Sequence, residues 1–136
     1  MTPEQLDHWF RYHAPTEETA PKYKAIREAE ERCWKSISQG VFENIGVPAI
    51  YNLINAECKA FAQVVDELCP EGDDKAAAIR CIRLARNAFN EAVVLSRDVD
   101  NLVYQEIDNL WLFNLGKQEL VKARWQANSA IACGGI

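Results

Sequence analysis

The feature that most limits the fold is an apolar repeat in the middle of the chain. Before Pro70, apolar residues recur in alternating steps of four and three, at Val47, Tyr51, Ile54, Cys58, Phe61, Val65 and Leu68. This spacing places the residues on one face of an α-helix. At about 1.5 Å per residue, such a helix would be roughly 30 Å long, which suits one wall of a helical bundle.

A second apolar seam follows after a short turn. The segment Pro70–Asp74 combines a proline, a glycine and two aspartates, and either Asp73 or Asp74 can cap a helix. Apolar residues then recur at helical spacing, at Ala78, Ile82, Ala85, Phe89 and Ala92. Because several of these residues are small, the two helices are predicted to pack closely as an antiparallel hairpin.

Another helix is predicted before this hairpin. Thr16 or Thr19 can cap it, and it should run to about Ser38, with Gly40 and Gly46 bracketing a break. Its inward face is predicted to hold Ile26, Ala29, Cys33 and Ile37. Its outward face is predicted to hold Lys24, Arg27, Glu28 and Lys35.

The chain after the hairpin is also predicted to be helical. A break at Ser96–Asp98 is followed by apolar residues that include Leu102 and Val103, and Asn114–Gly116 is a candidate cap or kink. Three tryptophans lie in apolar helical neighbourhoods and are expected in the core or at subunit contacts, at Trp34, Trp111 and Trp125. No segment shows the alternation typical of a strand. The prediction is one all-α domain over residues 1–136, an antiparallel bundle of four or five helices.

Charge limits the partners that this chain can bind. With 15 Lys and Arg against 20 Asp and Glu, the net charge is −5, so the chain lacks the broad cationic field that duplex nucleic acid or an anionic membrane requires. No apolar stretch approaches the roughly 20 residues needed to span a bilayer, and no secretion signal is visible. We therefore expect a cytoplasmic protein with neither membrane nor duplex nucleic acid as a partner.

Few residues suggest catalysis or metal binding. The five cysteines form no CxxC pair and no zinc-type spacing, and they are expected to be buried, reduced thiols. His8 and His13 are the two histidines, and His13 with Cys33 is a speculative thiol–imidazole pair. No glycine-rich phosphate loop or hydrolase motif occurs. The chain is therefore expected not to be an enzyme and to need neither cofactor nor metal.

An arm rich in aromatic and polar residues precedes the first predicted helix. Rings such as Tyr12 and Tyr23 can stack on nucleobases, and a guanidinium can pair with phosphate oxygens. The candidate cations are Arg11, Lys22, Lys24 and Arg27. The arm thus predicts a small anionic ligand, although the same rings could simply close the core at a helix end.

The arm resembles a known family of phage proteins. The first matching block is Tyr12-His13-x-Pro15-Thr16 followed by Tyr23-x-x-Ile26-Arg27-x-Ala29. The second block runs from Lys59-Ala-Phe-Ala62 through Pro70 to Ala78-Ile-Arg80, Ala85 and Asn90. These blocks resemble the small helical sponge proteins that sequester the cyclic-nucleotide signals of bacterial CBASS and Thoeris defence. Residues 1–30 and 59–95 carry the resemblance, whereas 31–58 and 96–136 are an insertion and an extension.

The resemblance implies a noncatalytic homo-oligomer with ligand pockets between subunits, acting in the host cytoplasm if the chain is phage-encoded. The implied ligand is a cyclic di- or trinucleotide or a molecule of the cyclic ADP-ribose type. Its implied contacts are a base stacked on Tyr12, a phosphate at Arg27 and further contacts from His13, Thr16, Tyr23 and either Asn90 or Asn128. The alternative is a helical protein–protein interaction module without a nucleotide ligand.

Overall fold

The computed structural model describes residues 1–43, 45–97 and 107–135. In chain order the helices are α1 (Pro3–Trp9), α2 (Thr19–Glu43), α3 (Val47–Leu68), α4 (Asp73–Arg97) and α5 (Ile107–Cys133). No strand occurs in the described parts of the chain, which confirms the all-α prediction. α4 continues through Ser96 and Arg97, whereas the rest of the predicted break, with Leu102 and Val103, lies outside the described residues.

Helices α2 to α5 form an up-and-down bundle. α2 packs against α3 and α5, α4 packs against α3 and α5, and the α4–α5 contact is the most extensive. The α2–α5 pair is antiparallel, because Arg124 of α5 contacts Glu30 while the earlier residue Lys117 lies over the ring of Trp34. α4 and α5 are antiparallel as well, because Phe89 of α4 meets Gly116 whereas Gly72, just before α4, meets Gly135 beyond the end of α5.

The apolar seams form the core as predicted. The predicted inward residues of α2 and all five seam residues of α4 are buried. In α3 the centre of the seam is buried from Ile54 to Val65, but its ends are only partly buried and Ile50 joins the core instead of Tyr51. The buried face of α3 turns gradually around the helix axis, because a straight α-helix drifts by about 20° per heptad relative to a strict seven-residue repeat.

Two glycines that were expected to interrupt helices lie inside them. α2 continues past Gly40 to Glu43 and α3 begins at Val47, so the gap between these helices lies within the predicted stretch but starts after Gly40. α5 runs through Gly116, so no helix ends at Asn114–Gly116. A Cβ at Gly116 would lie 2.7 Å from Cδ1 of Phe89, so glycine at this position lets α4 and α5 approach closely. Gly46 does precede α3, with the left-handed φ of 101° that favours glycine.

α1 and the following arm lie against the end of the bundle where α5 finishes. Thr2 and Gln5 form a capping box at the start of α1, and no residue of α1 is buried. Nε2–H of His8 donates to the carbonyl oxygen of Cys133 at 3.0 Å and so links α1 to the last residue of α5. The sequence predicted no separate helix here, because a seven-residue helix without an apolar seam has no periodic signal.

We predict that Gly116→Ala lowers the free energy of unfolding by about 1–3 kcal/mol, because the added methyl group overpacks the core against Phe89. The better helix propensity of alanine, about 0.8–1 kcal/mol, offsets only part of this cost. Urea unfolding followed by circular dichroism measures the change.

Gly40→Ala is the matched control, because it adds the same methyl group inside a helix. There the new Cβ would meet the flexible end of the Leu53 side chain, so a smaller effect is expected. A Gly116→Ala variant as stable as the parent protein would contradict the tight α4–α5 contact.

Candidate functional site

A cleft of about 420 Å³ opens where the arm crosses the end of the bundle. The side chains that give it chemical character are Arg11, Tyr12, His13, Thr16, Thr19 and Tyr23, and Ala132 of α5 completes one wall. This volume lies within the roughly 300–1,000 Å³ that small-molecule pockets usually have. The cleft is thus large enough to be a ligand site.

Two threonines fix the start of α2 beside the cleft. The backbone N–H of Thr16 donates to Oγ1 of Thr19 at 2.8 Å, and the N–H of Thr19 donates to Oγ1 of Thr16 at 3.1 Å. This reciprocal bonding satisfies N–H groups that a helix start leaves unpaired. It also fixes the position of Tyr23, which follows Thr19 by about one helical turn.

The two tyrosines of the lining differ in exposure. Tyr12 is 83% exposed, whereas Tyr23 is partly buried and packs against the core. Burial raises the pKa of the Tyr23 phenol, so its hydroxyl is neutral at physiological pH and can act as a hydrogen-bond donor. The cleft therefore offers one open ring and one ring held by the bundle.

The histidines hold the arm in place. Nε2–H of His13 donates to the carbonyl oxygen of His8 at 2.7 Å, and the two rings meet edge to face with centroids 4.8 Å apart. Because a carbonyl oxygen can only accept, the bonded Nε2 of each imidazole carries a proton, which leaves Nδ1 as the lone-pair nitrogen of the neutral ring. His13 is thus oriented at the edge of the cleft by a backbone contact.

Arg11 is the one charged side chain of the described lining. The cleft therefore carries positive charge although the whole chain is acidic. Arg27 is exposed and does not line the cleft. It follows Tyr23 by one turn of α2, about 6 Å along the helix.

The two asparagines lie outside the cleft and apart from each other. Asn90 follows Phe89, whose ring packs against Gly116, and roughly 18 Å of helix separates Gly116 from Asn128 along α5. Neither residue is among the lining residues. Oδ1 of each is buried and has no hydrogen-bond partner among the residues that the structure describes.

The structure therefore brings together four of the seven candidate residues: Tyr12, His13, Thr16 and Tyr23. The sequence had not indicated that Ala132, or His8 with Cys133, would lie beside them. Two further lining residues had been named for other reasons, Arg11 as a candidate cation and Thr19 as a candidate helix cap. Long-range packing alone joins the end of α5 to the arm.

The thiol–imidazole pair suggested for His13 and Cys33 does not form. Cys33 is buried in the core, where a hydrogen bond with Cys58 and burial raise the pKa of its thiol. His13 lies instead near Cys133, within the end of the bundle that the arm covers. All five cysteines are free thiols, as the sequence predicted, but Cys81 is only partly buried whereas the other four are buried.

The chemical character of the cleft follows from its lining side chains. Its described side chains supply rings, hydroxyls, an imidazole and a guanidinium, and no carboxylate is among them. Such groups suit a ligand with a flat apolar part and an anionic part. None of the described helices has the length and apolar character needed to cross a membrane.

Searches of protein-family models, curated proteins and solved structures give no match to this chain.

Proposed function

We propose that the protein binds and sequesters a small cyclic nucleotide in the arm cleft, without turnover, and so blocks a bacterial anti-phage signal. The observation that supports this proposal best is the convergence of Tyr12, His13, Thr16 and Tyr23, with Arg11, on one cleft. Rings can stack on bases, and the guanidinium can pair with phosphate oxygens. The cyclic-nucleotide class itself comes from the family resemblance.

Affinity sets a demand that base stacking in the cleft does not meet alone. Sequestration of a dilute messenger needs nanomolar binding, or about −12 kcal/mol. Stacking contributes about 1–3 kcal/mol per base, so phosphate contacts and enclosure must supply the rest. Tyr12 is 83% exposed, which leaves its ring open to a ligand and to a second subunit that would enclose it. A homo-oligomer therefore belongs to the proposal.

We predict that Tyr12→Ala weakens cyclic-nucleotide binding roughly 5- to 150-fold, the equivalent of about 1–3 kcal/mol of lost stacking. Calorimetry with a panel of cyclic di- and trinucleotides and cyclic ADP-ribose isomers measures the change. Phe10→Ala is the control, because Phe10 is also 83% exposed but does not line the cleft. Equal loss in both variants would contradict a specific role for Tyr12.

Two arginines test where the phosphate lies. Arg11→Ala is expected to weaken binding more than Arg27→Ala, because Arg11 lines the cleft and Arg27 lies a turn beyond Tyr23. The loss should shrink as salt is added, since salt screens exposed charges. A loss confined to Arg27→Ala would move the phosphate along α2, and no loss in either variant would contradict the proposed phosphate contacts.

The same complexes separate sequestration from catalysis. After incubation with the bound cyclic nucleotide, the protein is denatured and the released molecule is identified. Intact ligand is the expected result. A cleaved product would contradict the noncatalytic proposal.

A second candidate function, a protein-interaction module, is favoured by the outer face of α5. Trp111 and Trp125 are 57% and 58% exposed, and Leu115 is also exposed. The tryptophans are two heptads apart and therefore share one face of the helix. The sequence led us to expect these tryptophans either in the core or at subunit contacts, and their exposure shows that they do not lie in the core of this chain. Such a face suits a subunit or partner contact.

We predict that the protein self-associates and that Trp125→Lys shifts it towards the monomer in sedimentation velocity. The reason is that this change places a charge in an apolar contact. Phe42→Lys is the matched control, because Phe42 is 87% exposed and lies near the end of α2, on a different helix. A protein that is monomeric at every concentration would contradict self-association through α5.

A further inference from the structure

Three metal-ligand side chains meet beneath the arm. A ring nitrogen of His8, a ring nitrogen of His13 and Sγ of Cys133 all lie within 4.8 Å of one another. They come from α1, the arm and the last residue of α5, and His8 and Cys133 are 125 positions apart. No local spacing predicts this cluster, because only the folded chain assembles it.

The donor set suits zinc. Imidazole nitrogen and cysteine sulfur are its common protein ligands, at about 2.0–2.1 Å and 2.3 Å from the metal. In a tetrahedral site these bond lengths place two nitrogens roughly 3.3 Å apart and a nitrogen and a sulfur roughly 3.6 Å apart. Because every pair of these atoms lies within 4.8 Å, closing by at most about 1.5 Å gives that geometry. His13 lies outside the helices, so its share of this movement needs no shift of a bundle helix.

The hydrogen bonds of both histidines also fit metal ligation. Nε2–H of His8 donates to the carbonyl oxygen of Cys133 at 3.0 Å, and Nε2–H of His13 donates to that of His8 at 2.7 Å. Histidines that bind metals usually donate their other ring N–H to a carbonyl or carboxylate, which fixes the ring and its lone pair. The two Nε2–H bonds therefore suit a zinc ion held through Nδ1 of each ring.

The surrounding charges are mixed. Burial and the nearby Asp74 carboxylate raise the pKa of the Cys133 thiol, and the same carboxylate attracts a cation. Arg11 opposes the cation, since its Nη2 lies 3.3 Å from Nδ1 of His8. The Arg11 side chain is exposed and can turn away into the cleft that it lines.

We propose that His8, His13 and Cys133 bind one zinc ion that fastens the arm to the end of α5. The ion forms a bond to Sγ as the thiol loses its proton to solvent, so one proton is released for each zinc bound. Three protein ligands leave a fourth position for water or another ligand. Because His13 also lines the cleft, bound zinc would set the position of one cleft wall.

Cobalt titration of the full chain tests this site. The reduced protein is stripped with a chelator and titrated with Co²⁺, which is expected to give a thiolate-to-cobalt charge-transfer band that saturates at one equivalent. Added Zn²⁺ should abolish the band. Absence of the band in the folded, reduced protein would overturn the proposal.

Variants assign the ligands. Cys133→Ser and His13→Ala should each weaken metal binding at least tenfold, as expected for loss of a ligand. His8→Ala should do the same. Cys81→Ser is the control, because Cys81 is a partly exposed thiol of α4 outside the cluster, and it should keep full binding. An unchanged band in Cys133→Ser would overturn the assignment.

Thermal unfolding distinguishes the loss of a zinc ligand from a general loss of folding in a variant. Zn²⁺ should raise the Tm of the parent protein and of Cys81→Ser, but not that of Cys133→Ser, since binding to the folded state alone stabilises it. Equal shifts in all three proteins would mean nonspecific binding and contradict the site. Metal binding is measured without nucleotide and nucleotide binding with chelator present, so each proposal can fail separately.

Discussion

The packing of Phe89 holds the bundle together. The centroid of its ring lies 6.1 Å from that of Trp34 on α2 and 6.0 Å from that of Phe113 on α5. The same ring fills the space that Gly116 leaves open. One side chain of α4 thereby connects three of the four bundle helices. Because cores are close-packed and interdigitated, this contact fixes the register of α4 against α5 and hence where α5 ends.

The candidate site depends on that end point. The arm has little core of its own, since no residue of α1 is buried. It is positioned by polar bonds to the bundle and within itself, chiefly from His8 to the Cys133 carbonyl and from His13 to the His8 carbonyl. The cleft and the histidine–cysteine cluster share His13. A ligand bound in the cleft would therefore change the position of His13 in the cluster, and a metal bound in the cluster would change its position in the cleft.

Much of the fold could be predicted from periodicity. The seam of α4 and the inward face of α2 were identified residue by residue, because burial follows the helical repeat. Gly40 and Gly116 were misjudged for a physical reason. A glycine that ends a helix and one that lets two helices approach look alike in a sequence, and only the neighbouring helix distinguishes them.

By itself, the sequence determined the helical class, the main core residues and the grouping of Tyr12, His13, Thr16 and Tyr23, since all of these depend on neighbours close in the chain. Only the tertiary structure decided that Arg11 rather than Arg27 lines the cleft, that Asn90 and Asn128 lie elsewhere, and that Cys133 meets the histidines. These outcomes depend on which helix ends meet in space. That meeting is set by packing between residues far apart in the chain, which local spacing does not encode.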